Sequence, residues 1–186
     1  MTQSVRLTND RNLVLIGCRA CGKTSVGKAL AQALARPFVD LDEVLVAQAG
    51  RSVAAIVAEE GWPCFRRRER ELLGHYGRQA GQVLAPGGGV VLDPENVKIL
   101  RDHGLVIWLT ADPATLTRRL QDDQGTGAFR PSLTGRDAAT EMEQVLAERA
   151  PLYRASADLV IDTTGLAIPE IVKRILEAIS GGTPVA

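Results

Sequence analysis

GCRACGKT, residues 17–24, follows the apolar run Leu13-Val14-Leu15-Ile16, and its reading decides the fold. Two patterns overlap in it. Cys18-Arg19-Ala20-Cys21 has the C-x-x-C spacing of a redox dithiol or of half a zinc site. Gly17, Gly22, Lys23 and Thr24 fit G-x-x-x-x-G-K-[ST], the pattern of a phosphate-binding loop. The phosphate reading makes specific physical demands, and the stretch meets them. Glycines let the backbone wrap so that successive N–H groups face phosphate oxygens. Lys23 then reaches the β- and γ-phosphates, and the Thr24 hydroxyl is a ligand for Mg2+. A plain glycine turn would leave Lys23 unexplained. Zinc needs about four ligands, and Cys64, His75 and His103 are scattered without spacing. A disulfide across residues 18–21 would strain a loop that has to wrap phosphate.

Outward from the loop, short apolar runs alternate with amphipathic segments. Leu13–Ile16 reads as a strand buried on both faces. Val26, Ala29, Leu30, Ala33 and Leu34 share one face of a following helix, which Pro37 is expected to stop. Phe38-Val39-Asp40 is a second strand, with Asp42 near the start of the next helix. Helical pattern then runs on with a break at Gly61-Trp62-Pro63. Gln82–Ala85 is a third strand, ending at Pro86-Gly87-Gly88-Gly89, and a short helix follows Pro94. Leu105–Leu109 is a fourth strand, and Asp112-Pro113 opens another helix. Residues 121–135, rich in Gly, Asp, Thr and Gln, read as a mobile loop. A helix over 137–154, a fifth strand at Leu159–Ile161, and an amphipathic helix at Ile168, Ile171, Val172, Ile175, Leu176 and Ile179 complete the chain. Both termini are expected to fray. The alternation predicts an α/β fold, a parallel sheet covered on both faces. Ligands in such sheets bind at the carboxyl ends of the strands. Asp40, Gly87–Gly89 and the phosphate loop should therefore meet on one edge.

The chain has 186 residues, enough for a single domain with a full core, and neither a repeat nor a linker divides it. Lys plus Arg equals Asp plus Glu at 22 each, so nothing points to nucleic acid or an anionic membrane. The run before Gly17 is too short for a signal-peptide core or a membrane span. For the same reason Leu15-Ile16-Gly17-Cys18 is discounted as a lipoprotein cleavage box. Three cysteines make no disulfide framework and fit a reducing, cytoplasmic setting. Cys21, beside Lys23 and near a helix N-terminus, is expected to be an acidified thiol. Oxidation or alkylation at Cys18 or Cys21 is expected to inhibit, and bound ATP to protect.

A phosphate loop alone does not choose between GTPases, ATPases and small-molecule kinases. The guanine-reading N-K-x-D is absent, and Asp122-Asp123-Gln124-Gly125 lies in a polar loop rather than after a strand. No strand-terminal Walker B aspartate is visible, and the small size favours the nucleoside-monophosphate-kinase-like group. Further motifs narrow the choice by their order: Phe38-Val39-Asp40-Leu41-Asp42, Phe65-Arg66-Arg67, Gly87-Gly88-Gly89, Arg130-Pro131 and Arg149-Ala150-Pro151-Leu152-Tyr153. From about residue 12 to 180 the chain resembles the shikimate kinases. Each motif is weak alone, but the ordered set is specific.

The resemblance implies a three-layer P-loop kinase fold with a five-stranded parallel sheet and a lid over about 121–135. It also implies transfer of the γ-phosphoryl group of ATP to the 3-hydroxyl of shikimate by a monomer using Mg2+. Gly17, Ala20, Cys21, Gly22, Lys23, Thr24 and Ser25 would hold the ATP phosphates, Arg119 would stack on adenine, and Arg130 would swing from the lid onto the transferring group. The segment from Arg119 to Arg130 is a few residues longer than in compact members. Thr24 and Asp40 would hold Mg2+, Asp40 through water. Asp42 would take the acceptor hydroxyls and serve as base, while Arg66 and Arg149 would receive the carboxylate. Gly87, Gly88 and Gly89 would let backbone approach the ring, Gly88 closest. Taken from the residues alone, other readings stand beside these. Asp40 and Asp42 suit helix caps, most of Arg66-Arg67-Arg68-Glu69-Arg70 suits a solvated helix face, and the glycines suit a turn. A gluconate or nucleoside-monophosphate kinase, or a nucleotide sensor without transfer, are the rival functions.

Overall fold

In a computed structural model, which describes residues 11–122 and 138–180, five parallel strands form one sheet in the order β2-β3-β1-β4-β5. The central strand, β1 (Asn12–Ile16), is buried along its whole length. It pairs with β3 (Val83–Ala85) on one side, Leu13 opposite Val83, and with β4 (Gly104–Thr110) on the other, Asn12 to Ile16 opposite Gly104 to Trp108. β2 (Phe38–Asp40) lies outside β3, and β5 (Leu159–Asp162) outside β4. This burial explains the continuous apolar runs: Leu13, Leu15, Ile16, Val83, Leu84, Ile107 and Leu109 meet helices on both faces. β5 is an edge, and Val160 on it remains 37% exposed.

The helices are α1 (Lys23–Leu34), α2 (Leu41–Ala49), α3 (Val53–Tyr76), α4 (Pro94–His103), α5 (Pro113–Asp122), α6 (Ala138–Ser156) and α7 (Ile168–Ile179). α1 ends earlier than Pro37 requires. Ala35 turns into the left-handed region at φ 52°, and Arg36 N–H reaches back to the Ala31 carbonyl at 2.9 Å, closing the last turn. Inside α3 the expected break is present. Gly61 has φ 79° and ψ 167°, non-helical values, and Pro63 sits in the first turn of the second half, where its missing N–H costs nothing. α6 begins at Ala138 and extends to Ser156, carrying Pro151 within it. On α7 the face Ile171, Val172, Ile175 and Ile179 is buried, whereas Ile168 stays 40% exposed at the helix start.

The connection after β1 leads away to β2 on one side, and that after β4 leads to β5 on the other. Between β1 and β4 the chain therefore reverses direction across the sheet. Such a reversal opens a crevice at the carboxyl ends of the strands, and Gly17 to Gly22 lie in it.

Candidate active site

Three strand ends build the site. The loop after β1 turns on Gly17 at φ 143°, where a Cβ would stand 2.3 Å from the Leu109 carbonyl oxygen of β4. Ala20 and Gly22 also have positive φ, at 61° and 99°, so the loop curls before it enters α1. Lys23 is only 8% exposed. Its ammonium donates to the carbonyls of Gly17 at 2.9 Å and Cys18 at 2.8 Å, across the loop. The expectation that Lys23 serves bound phosphate alone is thus too narrow, since it also ties the loop's ends together.

The thiols are packed in rather than displayed: Cys18 is 2% and Cys21 0% exposed. Cys18's hydrogen bond and the Lys23 ammonium, 3.8 Å from the Cys21 sulfur, hold the Cys21 thiol down to about 6 against the opposing effect of burial. The same hydrogen bond and burial push Cys18 up. One anion shared by the pair explains both directions. The acidified Cys21 matches the sequence reading, but ready alkylation does not, because half-buried Cys64 is the more accessible thiol.

At the end of β2, Asp40 does two jobs. One carboxylate oxygen accepts the N–H groups of Asp42 (3.0 Å) and Glu43 (3.3 Å), capping α2. The other accepts the Thr24 hydroxyl at 2.6 Å. The cap, one of the two readings of Asp40, is present, and the second oxygen adds a contact with the phosphate loop. Hard oxygen donors from Thr24 and Asp40 suit Mg2+, which keeps most of its ligands as water and phosphate. Among the described residues no group of three or more His, Cys, Asp or Glu is placed to hold a metal ion.

After β3, Gly87 to Gly89 lie where side chains would not fit. A Cβ on Gly87 would meet Glu69 Oε1 at 2.3 Å and Asp42 Oδ1 at 3.1 Å, and one on Gly89 would meet Arg66 Nη1 at 2.2 Å. Gly88 packs on the phosphate loop itself, its Cβ position 3.2 Å from the Gly17 carbonyl oxygen. The triplet thus admits an acidic side chain, a second backbone and a guanidinium, one at each position.

Two cavities result. One, of about 780 Å3, is lined by Ala20 to Val26, Asp40, Asp42, Glu43, Arg119 and the strip Leu166-Ala167-Ile168. Arg119 is anchored there by Thr163, through its hydroxyl at 3.0 Å and its carbonyl at 2.8 Å. The other is lined by Cys18, Arg19, Asp42, Arg66, Glu69, Gly87 to Gly89 and Arg149, with Val53, Trp62, Phe65, Met142 and Val145 as its apolar wall. Arg66 pairs with Glu69 and lies 5.2 Å from the Trp62 ring centre and 5.4 Å from that of Phe65. Arg149 is 9% exposed, and its buried Nε has no hydrogen-bond partner among the described residues. Among the described residues, Asp42 alone lines both cavities.

The structure thus brings together the expected phosphate loop, Asp40, Asp42, Arg66, the glycines and Arg149, with Arg119 at the far wall. Arg130 and residues 123–135 of the expected lid lie outside the described residues. Sequence reading missed Trp62, Glu69, Glu141 and the Leu166–Ile168 strip. Arg19 of the phosphate loop pairs with Glu141 on α6, a contact across 122 positions of chain that no local pattern announces. Trp62 carried one usable signal, its place at the break in α3.

Comparison with known proteins agrees. The sequence model of the shikimate kinase family matches residues 19–180. A shikimate kinase of Syntrophus aciditrophicus is 43% identical, with 90% of each chain covered. One of Rhodopirellula baltica is 44% identical, again over 90% of each. Among solved structures, the shikimate kinase of Acinetobacter baumannii in complex with shikimate superposes with a TM-score of 0.84 at 31% identity, covering 91% of this chain and 92% of that one. A gluconokinase of Sinorhizobium meliloti shares the fold, with a TM-score of 0.60 at 19% identity and coverage of 94% and 93%.

Proposed function

The chain belongs to the shikimate kinase family, and from that premise we propose how its two cavities divide the work. The enzyme transfers the γ-phosphoryl group of ATP to shikimate, giving ADP and 3-phosphoshikimate on the way to chorismate and the aromatic amino acids. ATP occupies the cavity of the phosphate loop, and shikimate the one behind Gly87 to Gly89. Asp42, shared by both, is the observation that carries this assignment. Lining both, it can touch the acceptor oxygen while facing the donor.

Backbone N–H groups of Gly17 to Ser25 and the Lys23 ammonium hold the phosphates. Arg119 and the Leu166–Ile168 strip receive adenine. Shikimate's ring lies against the glycines, Trp62, Phe65, Met142 and Val145, with its carboxylate between Arg66 and Arg149; the partnerless Nε of Arg149 supports that placement. Asp42 takes the proton of the 3-hydroxyl as the oxygen attacks the γ-phosphorus and ADP departs. Thr24 and Asp40 would hold Mg2+, which would supply positive charge beside the nucleotide's phosphoryl groups. By the family resemblance, Arg130 would supply a further cation to the transferring phosphoryl group. Both cavities come from one chain, so a monomer suffices. Balanced charge, the free thiols Cys18, Cys21 and Cys64, and the absence among the described residues of a helix able to cross a membrane support a cytoplasmic enzyme without nucleic-acid or membrane partners.

Coupled ADP release with shikimate, gluconate and a nucleoside monophosphate, each with and without Mg2+, tests the acceptor and the metal. Asp42→Asn should lower kcat by about 10²- to 10⁴-fold while shikimate still binds. A variant with nearly full turnover would remove Asp42 as the base.

A further inference from the structure

Tyr153 lies one turn beyond Arg149 on the same face of α6 and contributes nothing to the lining of either cavity. It is fully buried. Its ring stacks on Trp108 of β4, centroids 5.8 Å apart and planes inclined by 24°. Its hydroxyl donates to the carbonyl of Gly88. The same carbonyl is approached by Arg149 Nη1 at 3.3 Å, the long end of hydrogen-bond range. Arg149 Nε is buried without a partner.

These four facts describe a competition. The Gly88 carbonyl needs a donor, since a buried acceptor left unpaired is costly. Two donors reach it, and the hydroxyl takes the close position. The stack on Trp108 keeps that hydroxyl from swinging away, and burial pushes the phenol up against the opposing pull and hydrogen bond of the neighbouring Arg149 guanidinium, so it stays protonated and a donor to Gly88. We propose that Tyr153 is a positioning residue for the acceptor site: by satisfying the Gly88 carbonyl, it leaves the Arg149 guanidinium to the acceptor's carboxylate instead of the protein's own backbone. Without the hydroxyl, Arg149 would close to a normal charge-assisted bond with Gly88, about 2.7–2.9 Å. Its fork would then be engaged before substrate arrives, and a cation already partnered gains less from a carboxylate. The inference rests on the reading that Arg149 receives that carboxylate.

The test compares kcat/KM for shikimate with kcat/KM for its methyl ester, which keeps the ring and hydroxyls but not the anion. Arg149→Ala should cut the preference for shikimate at least about tenfold. If it does not, the carboxylate reading of Arg149 is wrong. Tyr153→Phe, which removes one oxygen and keeps the packing, should cut the preference roughly three- to tenfold. The loss should appear in the KM for shikimate, with the ester's kcat/KM unchanged. If Arg149→Ala lowers the preference and Tyr153→Phe does not, the positioning role is overturned while the Arg149 reading stands. An equal loss on both acceptors would also overturn it, because that is what loosened packing does.

Discussion

Lys23 shows how one side chain can satisfy a motif and the fold together. A pure phosphate ligand could be deleted without harm to the empty enzyme, but this ammonium also bridges the Gly17 and Cys18 carbonyls in a buried place. Lys23→Ala should therefore abolish transfer and also lower stability by about 1.5–3 kcal/mol, the worth of hydrogen bonds to a buried charge. Thermal unfolding without nucleotide checks this, and an unchanged Tm would mean the loop holds its shape unaided. The thiols two and five residues earlier make a second prediction. Cys21's value falls from 9.0 to about 6 on folding, so the folded state favours its anion. That contribution is full above pH 9 and is lost as pH falls through 6. Stability should rise across pH 6–9, until the raised Cys18 thiol works in the opposite sense above 9. Urea midpoints should show that rise in the native protein and lose it in Cys21→Ser.

Among the elements, α2 brings Asp42 to both cavities and α3 brings five side chains to the acceptor cavity, and each depends on how it begins or breaks. α2 starts on Asp40, whose carboxylate caps the helix with one oxygen and meets Thr24 with the other. Asparagine keeps the cap and loses the charge, whereas alanine loses both. Asp40→Asn should hold Tm near the native value and raise the Mg2+ concentration needed for half-maximal rate. Asp40→Ala should do the same to Mg2+ and cost about 1 kcal/mol besides. Equal Tm values for the two variants would show that the cap contributes nothing. In α3 the turn at Gly61 redirects the second half so that Trp62, Phe65, Arg66 and Glu69 face one cavity. Their spacing, i, i+3, i+4 and i+7, places them on one face of that half, and the turn sets where the face is aimed.

For the whole molecule, the described residues of one chain line both cavities, and Asp42 lines each of them. Specific activity should therefore be independent of protein concentration, and sedimentation should give the mass of one 19.9 kDa chain. Activity lost on dilution would mean that a second copy completes the site. The ordering of strands and helices could be read from the chain, because it depends on local patterns: apolar runs for buried strands, 3.6-residue spacing for helices, Gly and Pro at the breaks. The meeting of Asp40, the glycines and the phosphate loop on one edge was also legible, since parallel strands place all their carboxyl ends together. The order of the strands was not, because which neighbour a strand takes is settled by packing against the whole sheet. Nor were the pairing of Arg19 with Glu141, the burial of Cys18 and Cys21, or the grip of Tyr153 and Arg149 on Gly88. Each joins groups far apart in the chain or depends on solvent being shut out, and no run of neighbouring residues encodes either.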